Sequence, residues 1–322
     1  MRPFDYERSN SASSIVAELS AATRPYAGGT DLLTRMKLDI TMPERLVDIK
    51  TADLPKGITE TDKGLRIGTL TTLTDIETSA LLREKYPLLS EAAALAATPQ
   101  LRNRATLGGN LLQRPRCWYY RNPAVDCWLK SGEGCPAKDG RNEHHALFGD
   151  SPCVAVHPSD LASCLTALDA TVTLQGPNGE RALPLSEFYA LPEDARRQET
   201  VIEDDELILS IDVPALEEGS SSTYLKAMDR KVWAFALVGV AAVVRVESGK
   251  IADARFCLSG VAPVPWRLKD LERNLVGQEP SEEVFARVAE TALEGARPLE
   301  HNAYKVPLAK SLIRRALSNL AG

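Results

Sequence analysis

The chain has 322 residues, of which 44% are hydrophobic and 25% charged, and its formal net charge is −6. This composition is typical of a globular protein with one or two domains, and no apolar run approaches the ~20 residues of a membrane-spanning helix. The basic residues are dispersed, which argues against a nucleic-acid partner because such binding needs a concentrated basic patch.

The first 53 residues resemble a small α/β unit. Apolar residues at helical spacing predict short helices at 14–20 and 31–37, and β-rich runs predict strands at 24–27 and 45–50. The first strand and the second helix are therefore separated by only a few residues. This short connection is the first candidate functional element.

A paired-glycine turn occupies that connection, in the run Ala27, Gly28, Gly29, Thr30, Asp31, Leu32 and Leu33. Glycine lets a backbone bend tightly and approach a ligand, and unpaired N–H groups at the start of a helix attract phosphate. The run lacks the G-x-G-x-x-G fingerprint of Rossmann domains. Taken alone, it is better explained as a tight turn in which Thr30 caps the helix.

A second unit is predicted from residue 64, with a strand in LRIGTL and helices at 73–86 and 88–97. A second paired-glycine turn follows, in Thr106, Leu107, Gly108, Gly109, Asn110 and Leu111. Two glycine turns that converge on one ligand are a stronger signal than either alone. A single glycine-rich hairpin remains the alternative.

Regular periodicity stops between Asn110 and Ser159, and this segment contains Cys117, Cys127, Cys135 and Cys153. A long structureless stretch in a compact domain needs a special reason. Four thiolates suit an iron–sulfur cluster or a tetrahedral metal site, and bound metal would hold a segment that lacks a hydrophobic core. Zinc sites usually contain closely spaced cysteine pairs, which are absent here, so we favour a cluster over zinc and both over disulfides.

The three histidines of this segment attract less interest. His144 and His145 are adjacent, and adjacent side chains usually point apart, so we expect them to be solvated loop residues. His157 precedes a proline and is expected to cap a turn.

Regular patterning returns with a predicted helix at 159–170 and strands at 171–176 and 206–214. Three further strands at 223–228, 235–246 and 254–261 precede helices at 281–296 and 308–320. We place the domain boundary in the acidic, serine-rich stretch 217–222. The predicted domains are therefore 1–219, with subdomains of about 1–53 and 54–219, and 220–322.

Together these motifs resemble the FAD-binding subunits of the xanthine dehydrogenase and carbon monoxide dehydrogenase family of molybdenum hydroxylases. The resemblance spans nearly the whole chain and rests on AGGTDLL, TLGGNL, the PSD at 158–160, ELILSIDVP and YLKAMDRKVWAFALVGVAA. The stretches NLLQRPRC, Gly134-Cys135 and HPSD are similar in particular to periplasmic aldehyde oxidoreductase flavoprotein subunits. The resemblance implies an α+β fold, with a two-subdomain PCMH-type FAD-binding domain followed by a C-terminal domain containing a three-stranded sheet and helices.

The resemblance also implies which residues bind FAD. It places the run Ala27–Leu33 on the pyrophosphate and Thr106, Gly108, Gly109 and Asn110 on the flavin side. Asp160 would hydrogen-bond the cofactor, with Ile208 and Lys226 near its adenine and flavin ends. Trp233 takes the position of a tyrosine close to the isoalloxazine, where an aromatic side chain would restrict access to the ring. Packing on an apolar strand explains Trp233 equally well.

The cysteine segment is an insert relative to ordinary family members, because 48 residues, 111–158, separate Asn110 from Ser159 instead of a handful. Family members with such an insert carry a [4Fe-4S] cluster. The resemblance thus implies that Cys117, Cys127, Cys135 and Cys153 are its ligands.

The partners implied by the resemblance are a large subunit with the molybdenum cofactor and a small subunit with [2Fe-2S] clusters, in a heterotrimer or larger assembly. The chain would pass electrons from the small subunit through FAD to an external acceptor, with no catalytic residue of its own. Its polar N-terminus lacks the apolar stretch of a secretory signal, so we expect a cytoplasmic protein unless a partner carries it, folded, to the periplasm.

Three other functions remain open on the sequence. One is a flavoprotein subunit like that of hydroxybenzoyl-CoA reductase, and another is a stand-alone flavin oxidase with a small organic substrate. The third is a zinc-stapled assembly subunit that has lost its flavin.

Overall fold

The computed structural model describes residues 1–322 and contains three separate β-sheets. The first sheet is parallel, in the order β1 (Asp5–Arg8), β3 (Arg45–Asp48), β2 (Thr23–Tyr26). Parallel strands need crossover connections, which here contain the helices α1 (Ala12–Glu18) and α2 (Leu32–Lys37). Strand β1 was not predicted because all four of its residues are exposed and it shows no apolar alternation.

The second sheet has five antiparallel strands in the order β4-β5-β8-β6-β7. Their bounds are β4 Ile58–Thr61, β5 Gly64–Gly68, β6 Thr171–Gly176, β7 Gly179–Pro184 and β8 Leu207–Pro214. In β6 every second residue is buried, the period expected of a strand with one face on the core. The strands at 171–176 and 206–214 were predicted almost to the residue.

Helices cover one face of this second sheet and enclose the largest core, 33 buried residues. Their bounds are α3 Leu73–Thr78, α4 Ala80–Lys85, α5 Pro87–Leu95, α6 Pro99–Arg102, α7 Leu107–Leu111, α9 Asp160–Ala167 and α10 Leu185–Phe188. The single helix predicted at 73–86 is in fact two. Ser79 ends the first and caps the second, its hydroxyl accepting from the Leu82 N–H at 3.3 Å.

The cysteine segment contains one short helix, α8 (Trp118–Arg121), and one 3-10 turn at Trp128–Lys130. Polar side chains anchor it to the C-terminal part of the chain. Asn302 Nδ2 donates to the carbonyls of His145 and Ala146 at 3.1 and 3.0 Å, and the buried Lys305 Nζ donates to the same His145 carbonyl at 2.9 Å. Hydrogen bonds to the C-terminal part of the chain therefore help to order the segment.

The third sheet is antiparallel, in the order β12-β11-β10-β9. Its strands are β9 Ser220–Ala227, β10 Val238–Glu247, β11 Lys250–Ser259 and β12 Trp266–Arg267. Three strands were predicted, and the structure adds a two-residue fourth that is too short to leave a sequence pattern. The apolar run in β10 is buried on both faces, because alternate residues belong to two different hydrophobic cores.

The remaining helices pack on the outer face of this sheet. Their bounds are α11 Lys269–Leu275, α12 Glu282–Thr291 and α13 Lys305–Ala321. None of the helices in the structure is both long enough and apolar enough to cross a bilayer.

Candidate functional site

Both paired-glycine turns face one cleft of about 1340 Å³. Gly28 and Gly29 line one wall, and Gly108 and Gly109 line the facing wall. Two turns far apart in the sequence thus share a single cavity.

The first turn presents a run of unpaired backbone donors to this cleft. The N–H groups of Gly28, Gly29, Thr30 and Asp31 donate to no other group of the chain. Gly29 adopts φ +71°, in the left-handed region that favours glycine. Successive free amides in such a turn form a concavity that attracts an anion.

Gly28 is required for contact between the two turns. A Cβ added at this position would lie 2.0 Å from the carbonyl oxygen of Arg104, just before the second turn. The expected reason for this glycine was space for a ligand. The structure gives a different one, close packing of backbone against backbone.

The second turn is the first turn of helix α7, with Thr106 as its N-cap. Its amides already donate within the chain: Gly108 to the Thr69 carbonyl at 3.1 Å, and Gly109 to Thr106 Oγ1 at 3.3 Å. Asn110 Oδ1 accepts from the Ser159 hydroxyl at 2.6 Å. This turn therefore shapes the cleft wall and offers few free donors.

Asp31 directs its carboxylate to arginines. Its oxygens accept from Arg35 Nε at 3.1 Å, from Arg121 Nη2 at 2.8 Å and from the Arg114 backbone N–H at 3.1 Å. Arg116 Nη2 lies 3.0 Å away. Burial alone would raise the pKa of Asp31, but Arg116, Arg121 and Arg35 together hold it below its ordinary value. These contacts occupy the Asp31 carboxylate, while its backbone N–H stays free with those of residues 28–30.

Asp160, the first residue of helix α9, lies in a buried polar cluster beside a second cavity of about 830 Å³. Lys226 Nζ lies 2.7 Å from its Oδ2 and 3.0 Å from the Leu95 carbonyl. Tyr224 Oη lies 2.5 Å from its Oδ1 and 2.8 Å from Ser259 Oγ. Burial raises the pKa of Tyr224 well above its ordinary value, so the phenol keeps its proton and donates to Asp160.

Replacing Lys226 with methionine is expected to destabilise the fold by about 3–5 kcal/mol, because it leaves a buried carboxylate without its cation. Denaturation in urea measures the change. The matched control is Lys85→Met, which breaks the exposed pair with Glu60 and should change stability little. Equal effects in the two variants would contradict this role of Lys226.

His157 lines both cavities and is buried. Its Nδ1 accepts from the Ser159 N–H at 3.4 Å, so Nε2 carries the proton, and this Nε2 has no hydrogen-bond partner in the chain. Burial lowers the pKa of His157 to about 3, so the ring is neutral at physiological pH. A buried donor without a partner needs an acceptor, which a ligand at the junction of the cavities would supply.

The same burial makes the fold acid-sensitive. The pKa of His157 is lower in the folded chain, about 3, than the ordinary 6.5, so its contribution to stability is complete above 6.5 and is lost as pH falls. Between pH 7 and pH 5 this amounts to about 2 kcal/mol. Urea midpoints at both pH values should show that His157→Gln loses less stability on acidification than the wild type. An identical loss would contradict the assignment.

Ile208 and Trp233 occupy different settings. Ile208 borders the cleft, and its side chain is buried in the largest core. Trp233 is 58% exposed, in the loop between β9 and β10, with φ +54° and its ring near Arg230. It does not pack on a strand, so that explanation of Trp233 is wrong. Its neighbour Phe235 lines the second cavity.

The four cysteines of the segment are unpaired and lie close to one another. Cys135 and Cys153 are in direct contact, which lowers the pKa of Cys135 to about 6 and raises that of Cys153. Burial raises the pKa of Cys117 to about 11. No three His, Cys, Asp or Glu side chains converge closely enough to hold one metal ion.

Sequence reasoning missed several residues of this region. His145 is buried, and its Nε2 lies 3.2 Å from Cys117 Sγ, whereas a solvated residue was expected. The arginines around Asp31 were also missed, although three of them follow within a dozen residues of the second glycine turn. The sequence did contain one indication of this charge network, which is the cluster of arginines in a segment without regular apolar periodicity.

Two protein families match successive parts of the chain. Residues 2–216 match the family described as "FAD binding domain in molybdopterin dehydrogenase". Residues 223–320 match the "CO dehydrogenase flavoprotein C-terminal domain". The two matches together cover nearly all of the chain.

Relatives resemble the chain over its full length. The aldehyde oxidoreductase FAD-binding subunit PaoB of Escherichia coli is 38% identical, over 99% of this chain and 98% of the relative. The carbon monoxide dehydrogenase medium chain of Hydrogenophaga pseudoflava is 30% identical, over 98% and 96%. A solved structure of carbon monoxide dehydrogenase from that organism superposes with a TM-score of 0.79 at 29% identity, covering 100% of this chain and 98% of the other.

Proposed function

The chain belongs to the family of FAD-binding subunits of molybdopterin dehydrogenases, and from this premise we propose that it is the FAD- and [4Fe-4S]-containing electron-transfer subunit of an aldehyde- or xanthine-type oxidoreductase. The observation that carries the proposal is the run of unpaired amides on the first glycine turn, facing a cleft whose other wall is the second turn. These donors fit the pyrophosphate of a dinucleotide.

Different residues of the cleft would contact different parts of FAD. The amides of residues 28–31 would bind the pyrophosphate, and Thr106 and Gly109 would bound the opposite side. His157 Nε2 would donate to an acceptor of the cofactor where the two cavities meet. Bound FAD supplies chemistry that takes up electrons singly and releases two. The chain's own part is to position the cofactor and to control what reaches it.

Cys117, Cys127, Cys135 and Cys153 would hold the [4Fe-4S] cluster. One feature supports this part of the proposal. The donor set consists of four thiols beside Tyr120, Trp128 and Leu129, an apolar environment of the kind that sets cluster potentials.

The partners in this proposal are a large molybdenum-cofactor subunit and a small [2Fe-2S] subunit. Its support is the name "medium chain" carried by the carbon monoxide dehydrogenase relatives, which places those proteins in assemblies with other chains. Electrons would pass from the small subunit through FAD to an external acceptor. Trp233 would restrict the access of that acceptor to the flavin ring.

Absorption and composition of the purified chain test the proposal. Flavin bands with a broad shoulder near ~400 nm, one FAD and about four irons per chain are the expected result. Zinc without colour would instead favour the assembly subunit, and turnover of a small organic substrate by the isolated chain would favour the oxidase.

A further inference from the structure

Asp31 connects the first glycine turn to the cysteine segment. Of the groups bound to its carboxylate, only Arg35 belongs to its own helix. The others, Arg116, Arg121 and the Arg114 N–H, all come from residues 114–121, which include Cys117. The turn that faces the cleft is thus held by the segment that contains the thiols.

Arg121 makes this connection stiff. Its backbone N–H donates to the Cys117 carbonyl at 2.9 Å, because Cys117 is the N-cap of helix α8. Its side chain donates to the Pro115 carbonyl at 2.7 Å and to the Arg114 carbonyl at 2.8 Å, as well as to Asp31. Movement of Cys117 therefore moves the guanidinium that holds Asp31.

The charges in this network do not cancel within the chain. Arg35, Arg114, Arg116 and Arg121 face only two carboxylates, Asp31 and Glu199. The buried Nε of Arg116 and Nη1 of Arg121 also have no hydrogen-bond partner. The excess of half-buried positive charge suits anions on both sides, a phosphate in the cleft and thiolates in the segment.

We propose that Asp31 couples occupancy of the cysteine cluster to FAD affinity, an inference that rests on the proposed function. A filled cluster fixes Cys117 and with it Arg121 and Arg116. These arginines hold Asp31, and Asp31 holds the amides of the first glycine turn in the position that binds phosphate. Asp31 is a positioning residue in this scheme, and by linkage FAD strengthens cluster retention by the same factor.

A double-mutant cycle tests the coupling. FAD dissociation constants are measured by flavin fluorescence in the full chain for the wild type, Cys135→Ser, Asp31→Asn and the double variant. We expect Cys135→Ser to weaken FAD binding about tenfold alone, within the usual range of coupling between sites, and less than twofold in the Asp31→Asn background. In the matched control, Glu77→Gln takes the place of Asp31→Asn as the background variant. It breaks the ion pair of Glu77 with Arg102, and Cys135→Ser should still weaken FAD binding about tenfold in it.

The possible outcomes distinguish a failure of the coupling through Asp31 from a failure of the proposed FAD binding. An undiminished effect of Cys135→Ser in the Asp31→Asn background overturns the coupling while leaving FAD binding in place. A wild-type chain that binds no FAD overturns the proposed function itself. If Asp31→Asn fails to fold, Arg121→Gln removes the same link from the other side, and the same two results decide.

Discussion

Replacement of Cys135 with serine is expected to remove nearly all iron from the purified protein while most of the FAD remains at concentrations well above its dissociation constant. A serine hydroxyl is a poor substitute for a thiolate ligand, and a cube with three protein ligands is poorly retained. The FAD cleft is built from the glycine turns and contains none of the four cysteines. The measurements are iron per chain by elemental analysis and FAD per chain by absorption after denaturation.

The control for this prediction is Cys257→Ala. Cys257 is fully buried in the largest core, away from the cysteine segment. The Cys257→Ala protein should therefore keep its iron although it has lost a thiol. An iron content unchanged by Cys135→Ser would show that the ligand assignment is wrong. Loss of iron from both variants would mean that general destabilisation, and not ligand removal, explains the result.

The parts of the site that the sequence predicts well are those that depend on neighbouring residues in the chain. Paired glycines and clustered cysteines are visible in a single chain because each needs a particular residue type at a particular position. Strands such as Thr171–Gly176 were predicted for the same reason, since their alternation follows from one buried face. Residue types at particular positions and the periodicity of apolar residues were therefore enough to predict most of the fold.

The parts that sequence did not predict depend on contacts between distant residues. Apart from Arg35, the partners of Asp31 lie more than 80 positions away, and those of Asp160 lie 64 and 66 positions away. Nothing in the run AGGTDLL indicates that its acid is held by arginines from residues 114–121. The turn cap expected of His157 is present, but its burial, with the Tyr189 ring packed against it, was not predicted. Polar networks in a core are fixed by the whole fold.

Substitution of Gly28 with alanine is expected to weaken FAD binding by at least about tenfold, equivalent to about 1.4 kcal/mol. The added methyl group would lie 2.0 Å from the Arg104 carbonyl oxygen, a distance that forces the two turns apart. Overpacking of this kind usually costs about 1–3 kcal/mol, and the obstacle here is backbone, which cannot swing aside as a side chain does. The free amides of residues 28–31 would then no longer face the second turn across the cleft.

Fluorescence titration with FAD measures the loss, and iron content reports whether the rest of the chain is intact. The matched control is Gly134→Ala, where an added Cβ meets nothing within 4 Å and the backbone is not left-handed, so affinity should be unchanged. Wild-type affinity in Gly28→Ala would mean that the contact between the turns does not shape the cleft. Because the clash is with protein and not with ligand, the structure further requires that Gly28→Ala lower the unfolding temperature even without FAD. A purely ligand-facing glycine would not have this effect, so the FAD-free melting curve distinguishes the two explanations of the same residue.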